Sequence, residues 1–475
     1  MKTKEEYFDS LRELKLEVYM FGERVGNTVD HPVIRPSANA MAATYELARG
    51  DTMTAISHVT GKRINRFTHI HQSNADLVNK SKMGRVLGCY TGACFQRCAG
   101  MDALNALSIV THDIDRKYRT DYNRRFLQYL EYVQENDLAC DAAMTDAKGD
   151  RSLRPAEQLD PDQYLRVVDE SGDGIVVRGS KLHQTGALNS HEIIAMPTRA
   201  MREEDRDYAV VFAIPSDTKG IMYIYGRQPC DTRKMEGQTF DVGNLYYGGH
   251  ECMVIFDDVF VPWQRVFMYK EHEFAADLVE KFASYHRQSY ACKAGMGDVL
   301  IGATQTIAEY NGIAKAPHVR DKITEMVHLN ETIFCCSLAC AHEGHRESSG
   351  TYYVNSLMAN ITKLHVTRIP YELAKIAHEI AGGAVVTMPS EKDLRHPRVG
   401  NYVAKYLKGA GAVPAEDRIR MMRLVESLTM GLGAACYLPE SMHGAGSPQA
   451  QKIMIGRQSN LDGKKKAAKR LCGIE

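Results

Sequence analysis

Apolar residues recur every three or four positions through residues 1 to about 140. LRELKLEVYMFGERV, ADLVNKSKMGRVLGCY and YNRRFLQYLEYVQENDLACDAAM carry that spacing, which predicts amphipathic helices. After Asp146 the period changes. IVVRGSKL, HEIIAMPT, YAVVFAIP, IMYIYGR and CMVIFDDVFVP are short runs rich in β-branched and aromatic residues, divided by Gly, Pro, Asp and Ser. They predict strands of a compact antiparallel sheet or barrel. From about residue 270 the helical period returns and lasts nearly to the end. The pattern predicts an α+β protein, mainly α, in three parts: a helical domain over 1–142, a middle β domain over 143–270 and a helical bundle over 271–475. Thr3 and Glu6 form a capping box at the first helix. GKKKAAKRL, near the C-terminus, predicts a solvated helix end, with a grip on phosphates as the alternative. No internal repeat interrupts the order.

At 475 residues the chain is long enough for roughly two or three domains and a large core. Basic and acidic residues number 59 each, so the formal charge is zero and nothing favours nucleic acid or an anionic membrane surface. No apolar run approaches the length that spans a bilayer. The opening residues lack the apolar core of a signal peptide. A cytoplasmic protein is expected.

Twelve cysteines without one CxxC pair argue against a zinc ribbon and leave buried thiols or metal ligands. HEGH at His342 is not HExxH, so a zinc peptidase is unsupported. No GxGxxG follows a strand and no P-loop occurs, so a flavin or nucleotide would be held in another way. Cys94 and Cys98, in TGACFQRC, would share one face if helical, about 40° apart around the axis. Cys336 and Cys340, in TIFCCSLAC, have the same spacing, and either pair reads equally as small buried hydrophobes. Gln96 and Arg97, unusual on a core face, favour the first pair as ligands. Downstream, YHRQSYACKAGMGD gathers His286, Arg287, Tyr290, Cys292 and Lys293. Such polar density is costly to bury without partners; a surface helix is the plain alternative. On a regular helix His286 and Cys292 point about 120° apart, so joint ligation requires an irregular turn or a break at Ala291. Three cysteines and this histidine would hold an iron–sulfur cluster with one iron more open to substrate.

Three further stretches matter by their order: AMTDAKGDRS where helices give way to strands, KLHQTGALNS one strand later, and IFDDVFVP at the end of the β region. With VYMFGERVGNTVDHPVIRPS, INRFTHIHQS, CFQRCAGMDA, YGRQPCDTRKME, HRQSYACK, IAGGAVVTMPSE and ESMHGAGSPQAQ, they resemble the acyl-CoA dehydrogenase-like flavoproteins. Within these the chain is most similar to the 4-hydroxyphenylacetate 3-hydroxylase branch and its 4-hydroxybutyryl-CoA dehydratase family. The resemblance implies a helical domain, a β-barrel-like domain and a helical bundle around FAD. It implies Cys94, Cys98, His286 and Cys292 as ligands of a [4Fe-4S] cluster, although the family spaces this histidine and cysteine one residue further apart. Glu251, Tyr290, Lys293, Glu440 and Gln96 match positions around the substrate. Thr145, Lys148 and Arg151 fall in a first flavin stretch, and Gln184, Thr185 and Asn189 in a second. Gly382 and Gly383 match glycines that approach the cofactor. The implied reaction is the radical dehydration of 4-hydroxybutyryl-CoA to crotonyl-CoA, with isomerisation of vinylacetyl-CoA, by a homotetramer built as a pair of dimers. Glu251 and Glu440 are then expected to act as general bases or to hold His286 in one tautomer. The rivals are a flavin monooxygenase or an acyl-CoA dehydrogenase of the same fold without a cluster, and a non-enzymatic helical scaffold.

Overall fold

The computed structural model describes residues 1–228, 232–237 and 239–474. Cys230, with part of the YGRQPCDTRKME stretch, lies outside them. The order helical, β, helical holds. The expected strands form at Gly174–Thr185, Glu192–Ala195, Val210–Pro215, Ile221–Tyr225 and Glu251–Pro262. The capping box closes as expected, Thr3 and Glu6 exchanging hydrogen bonds with each other's backbone N–H. The basic C-terminal segment is a helix, Leu461–Leu471, with no buried residue.

The β region departs from a barrel. Six strands run in the order Glu23–Val25, Val18–Met20, Ile221–Tyr225, Glu251–Pro262, Gly174–Thr185 and Arg166–Glu170. Four more form a second sheet in the order Val266–Tyr269, Val210–Pro215, Glu192–Ala195 and Cys140–Ala143. One apolar core holds Val177, Val254 and Phe256 of the first sheet with Ile193, Phe212 and Val266 of the second. Nor is the pairing wholly antiparallel. Val18–Met20 runs parallel to Ile221–Tyr225, and Cys140–Ala143 parallel to Glu192–Ala195.

Two segments with helical spacing become strands in part. The first helix ends at Arg12, and VYM and ERV of LEVYMFGERV pair as a hairpin through Phe21 and Gly22, both at positive φ. YNRRFLQYLEYVQE is helical over Tyr122–Glu135, but the following CDAA is a strand of the second sheet. Residues before 142 therefore contribute strands to both sheets.

The helices that position the site pack closely. Asn74–Thr91 crosses Cys292–Tyr310 where neither has room for side chains. A Cβ on Gly88 would stand 2.2 Å from the Cys292 carbonyl oxygen, and one on Gly295 would stand 2.1 Å from the Arg85 oxygen. Leu300, Ile307, Met326, Ile333, Leu373, Ile419 and Val425 fill the core of the C-terminal bundle.

Candidate active site

Cys94 is not on a helix. The Asn74–Thr91 helix stops at Gly92, in the left-handed conformation, and residues 93–97 form an irregular connection. Gln96 takes a φ of 67°, a strained value for a residue with a side chain. The helical spacing expected of Cys94 and Cys98 is therefore corrected: regular structure ends at Gly92 and resumes only at Cys98, with Gln96 and Arg97 in the connection between. Gln96 is held there by its amide, which donates to the Ser37, Cys94 and Gly248 oxygens, while its Oε1 accepts from Asn189. Arg97 is fully buried and pairs with Asp137 at 2.8 Å.

Cys98 begins the Cys98–Tyr118 helix and Cys292 begins the Cys292–Tyr310 helix. Both thiols stand at the first turn of a helix, where the helix dipole favours negative charge. The break expected near Ala291 is present. The Ala275–Ser289 helix ends at Tyr290, and the N–H groups of Ala291, Lys293 and Ala294 each bond three residues back in a tight turn. This turn sets Cys292 and His286 on different helices. Cys98 lies within electrostatic reach of Cys94, Cys292 and Asp102, and Tyr290 within reach of all three cysteines and Glu440. Burial pushes the Cys94 and Cys98 thiols well above their ordinary range and Cys292 up to about 11. The other pair is separate. Cys340 packs with Leu77, Ile109 and Tyr285 in another core, and Cys336 is half-buried beside it on the same helix.

Around the three thiols, Cys94 Sγ donates to Glu440 Oε1 at 3.8 Å, and Lys293 Nζ stands 3.4 Å from Glu440 Oε2 and donates to the Cys436 oxygen at 2.6 Å. Glu251 faces Thr185 across the sheet, and Thr185 Oγ1 donates to its Oε1 at 2.5 Å. Glu251 Oε2 is buried without a hydrogen-bond partner among the described residues. Burial, reinforced by Glu440, raises the Glu251 carboxyl well above the usual range. His286 packs edge-on to Tyr290 at 5.2 Å between centroids, and its Nδ1 bonds Asp102 Oδ2 at 2.8 Å. That contact corrects the expectation that Glu251 or Glu440 orients the imidazole.

The two stretches expected to contact flavin meet the same region from the β side. Leu182 N–H donates to the Thr145 oxygen, joining the first stretch to the second. Below them the buried pair Lys181–Asp146, at 2.8 Å, is capped by the Met144 and Met196 carbonyls. Lys148 and Arg151 lie within electrostatic reach of His183, as does His443. Gln184 is buried and bonds back to the Leu182 oxygen. Asn189 is also buried, and its amide spans Ser37, Gln96 and His250. Gly382 and Gly383 are exposed, with nothing inside 4 Å of a Cβ placed at either, and are not drawn to the thiols within this chain.

A model of the 4-hydroxyphenylacetate 3-hydroxylase N-terminal region matches residues 3–268, and one of its C-terminal region matches residues 275–473. The chain belongs to the 4-hydroxyphenylacetate 3-hydroxylase family. It is 53% identical over 489 aligned positions to a 4-hydroxybutyryl-CoA dehydratase/vinylacetyl-CoA-Δ-isomerase of Clostridium aminobutyricum, covering 100% of both chains. A solved oxygen-tolerant archaeal 4-hydroxybutyryl-CoA dehydratase from N. maritimus superposes with a TM-score of 0.99 at 54% identity, over 100% of this chain and 95% of that one. The FAD-complexed oxygenase component of 4-hydroxyphenylacetate 3-monooxygenase superposes with a TM-score of 0.85 at 24% identity, over 99% and 98% of the two chains, and shares the fold.

Four residues of this family member escape its sequence pattern. Asp102 and Lys80 sit in runs that look like ordinary helix. Lys363 lies 4.3 Å over the Tyr290 ring, donates to the Ser441 oxygen, and is lowered to about 7 by burial and the neighbouring Lys293. Cys436 fits only because position 249 is glycine; a Cβ there would stand 2.1 Å from its sulfur. For Asp102, the spacing of one turn after Cys98 is the available signal.

Proposed function

We propose that the chain dehydrates 4-hydroxybutyryl-CoA to crotonyl-CoA and isomerises vinylacetyl-CoA, with FAD and a [4Fe-4S] cluster as resident groups. Its full-length identity to a curated dehydratase/isomerase carries the reading. The donor set fits a cluster. Two buried thiols and the half-buried Cys98 approach one another from one loop and two helix N-termini, and His286 joins them through Asp102 and Tyr290. Among the described residues no three such side chains are close enough for a single ion, but a four-iron cluster is wider and takes one ligand per iron.

The substrate presents a physical difficulty: its C3 proton is unactivated and its C4 hydroxyl is a poor leaving group. When bound, the flavin supplies one-electron oxidation and return, and the cluster iron supplies a Lewis acid for the hydroxyl. The chain's own residues manage protons. Glu251, raised by burial and free at Oε2, suits moving a proton between C2 and C4 of the acyl chain during isomerisation. Tyr290 Oη suits donation to the departing hydroxyl. Lys293 anchors Glu440 and neutralises charge beside the thiols. Lys148 and Arg151 suit the flavin phosphates. A homotetramer of two dimers would give the exposed Gly382 and Gly383 a cofactor to approach from another subunit.

Iron, sulfide and FAD per chain, measured on protein purified without oxygen, test the reading together with turnover of 4-hydroxybutyryl-CoA. About four irons, four sulfides and one FAD with crotonyl-CoA formed are expected. FAD without iron would move the chain to the monooxygenase or dehydrogenase branch.

A further inference from the structure

Asp102 is wholly buried, one turn beyond Cys98 on the same helix. Three groups from two helices converge on its carboxylate. Lys80 Nζ stands 2.7 Å from Oδ1, and Ser289 Oγ and His286 Nδ1 each lie 2.8 Å from Oδ2. Lys80 also donates to the Tyr285 carbonyl at 2.8 Å, which fixes the ammonium on the helix that bears His286. The imidazole is held on two more sides, stacked on Phe282 at 5.4 Å and edge-on to Tyr290.

We infer that Asp102, clamped by Lys80, is the positioning residue that fixes the proton of His286 on Nδ1 and commits Nε2 to the reaction site. A carboxylate paired with an ammonium accepts hydrogen bonds and donates none, so Nδ1 must be the donor. Nε2 is then the one nitrogen with a lone pair available for iron or for a substrate proton. A carboxylate behind a ligating histidine sets its tautomer and basicity, and losing one lowers metal affinity or activity about 10–100-fold. The inference rests on the proposed role of His286 at the cluster, but the tautomer can be measured without that role.

The test uses full-length protein with ring-15N histidine, the His286 signal being assigned by its loss in His286→Gln. In the unsubstituted protein Nδ1 carries the proton; a bare Nδ1 would overturn the inference with no variant needed. Asp102→Leu/Lys80→Met removes both charges together. It is expected to fold, to populate both tautomers and to lose about 10–100-fold in turnover. Asp102→Asn/Lys80→Met keeps an oxygen acceptor and is expected to restore the Nδ1–H form. An unchanged His286 signal in the Leu/Met protein would make Asp102 a packing residue only. Iron content reports separately: an iron-free protein with Nδ1 protonated would sink the cluster and leave the positioning intact.

Discussion

Gly444 lies so close to Tyr290 that a Cβ at position 444 would stand 1.5 Å from the phenolic oxygen. The φ of Gly444 is −60°, open to any residue, so it is the missing side chain that the phenol requires. Gly444→Ala is expected to displace the ring and lower dehydration about 10²-fold, with cofactor content and circular dichroism unchanged. Wild-type turnover in this variant would remove Tyr290 from the chemistry.

The two cysteine pairs with equal spacing should separate cleanly. Alanine at Cys94, Cys98 or Cys292 is expected to lower bound iron sharply. Cys340→Ala removes a thiol that packs in another core and bonds the Asn355 oxygen. It should keep its iron and cost on the order of 1–2 kcal/mol in stability. Iron loss from Cys340→Ala with retention in Cys98→Ala would reverse the assignment.

The middle strands were legible because alternation and β-branched residues persist over whole runs. Val18–Met20 was not, because three residues cannot express a period, and their pairing with Ile221–Tyr225 is fixed by a partner some two hundred residues away. The thiols and histidine that the fold brings together were legible in TGACFQRC and HRQSYACK, and the break near Ala291 followed from helical angles once His286 and Cys292 were required to face one site. The shape of the Cys94 loop was not, because it depends on Gln96 reaching Ser37 and Asn189. Asp102, Lys80, Lys363 and Cys436 were hidden for the same reason: each looks like a helix residue until the facing helix is known.

Beneath the first flavin stretch, Lys181→Met would leave Asp146 buried without its cation. A loss of about 3–5 kcal/mol is expected, read as a lower melting temperature and weaker FAD retention. Asp146→Asn/Lys181→Met should recover part of it. Equal losses in the single and double variants would show that the pair is not coupled.

Asp141 provides a pH test on the second sheet. Burial, with no partner at Oδ2, raises its carboxyl to about 7. Tyr223, Glu251 and Cys252 are among the groups that feel its charge. Between roughly pH 4 and 7 the folded chain binds this proton more tightly than the unfolded one, so stability is full below that window and falls as pH rises through it. Asp141→Asn should raise the melting temperature at pH 8, by on the order of 1–4 kcal/mol in stability, with the gain shrinking by pH 5. A pH-independent difference would rule out this carboxyl as the cause.

Gly88 and Gly295 can be tested by their crowding. Either one changed to alanine should cost on the order of 1–3 kcal/mol and lower iron content, since the displaced backbone carries Cys292. Full iron loading in Gly88→Ala would show that the helix crossing can relax without moving the thiol.

Asn189 has a consequence of a different kind. Its single amide joins Ser37 on an N-terminal helix, Gln96 between the two cysteines, and His250 beside the Glu251 strand. Both of its donor hydrogens are committed, so no segment can shift without releasing another. Redesign of the β-side stretch for a new substrate therefore cannot proceed independently of the cysteine loop: the two are adjustable only in concert.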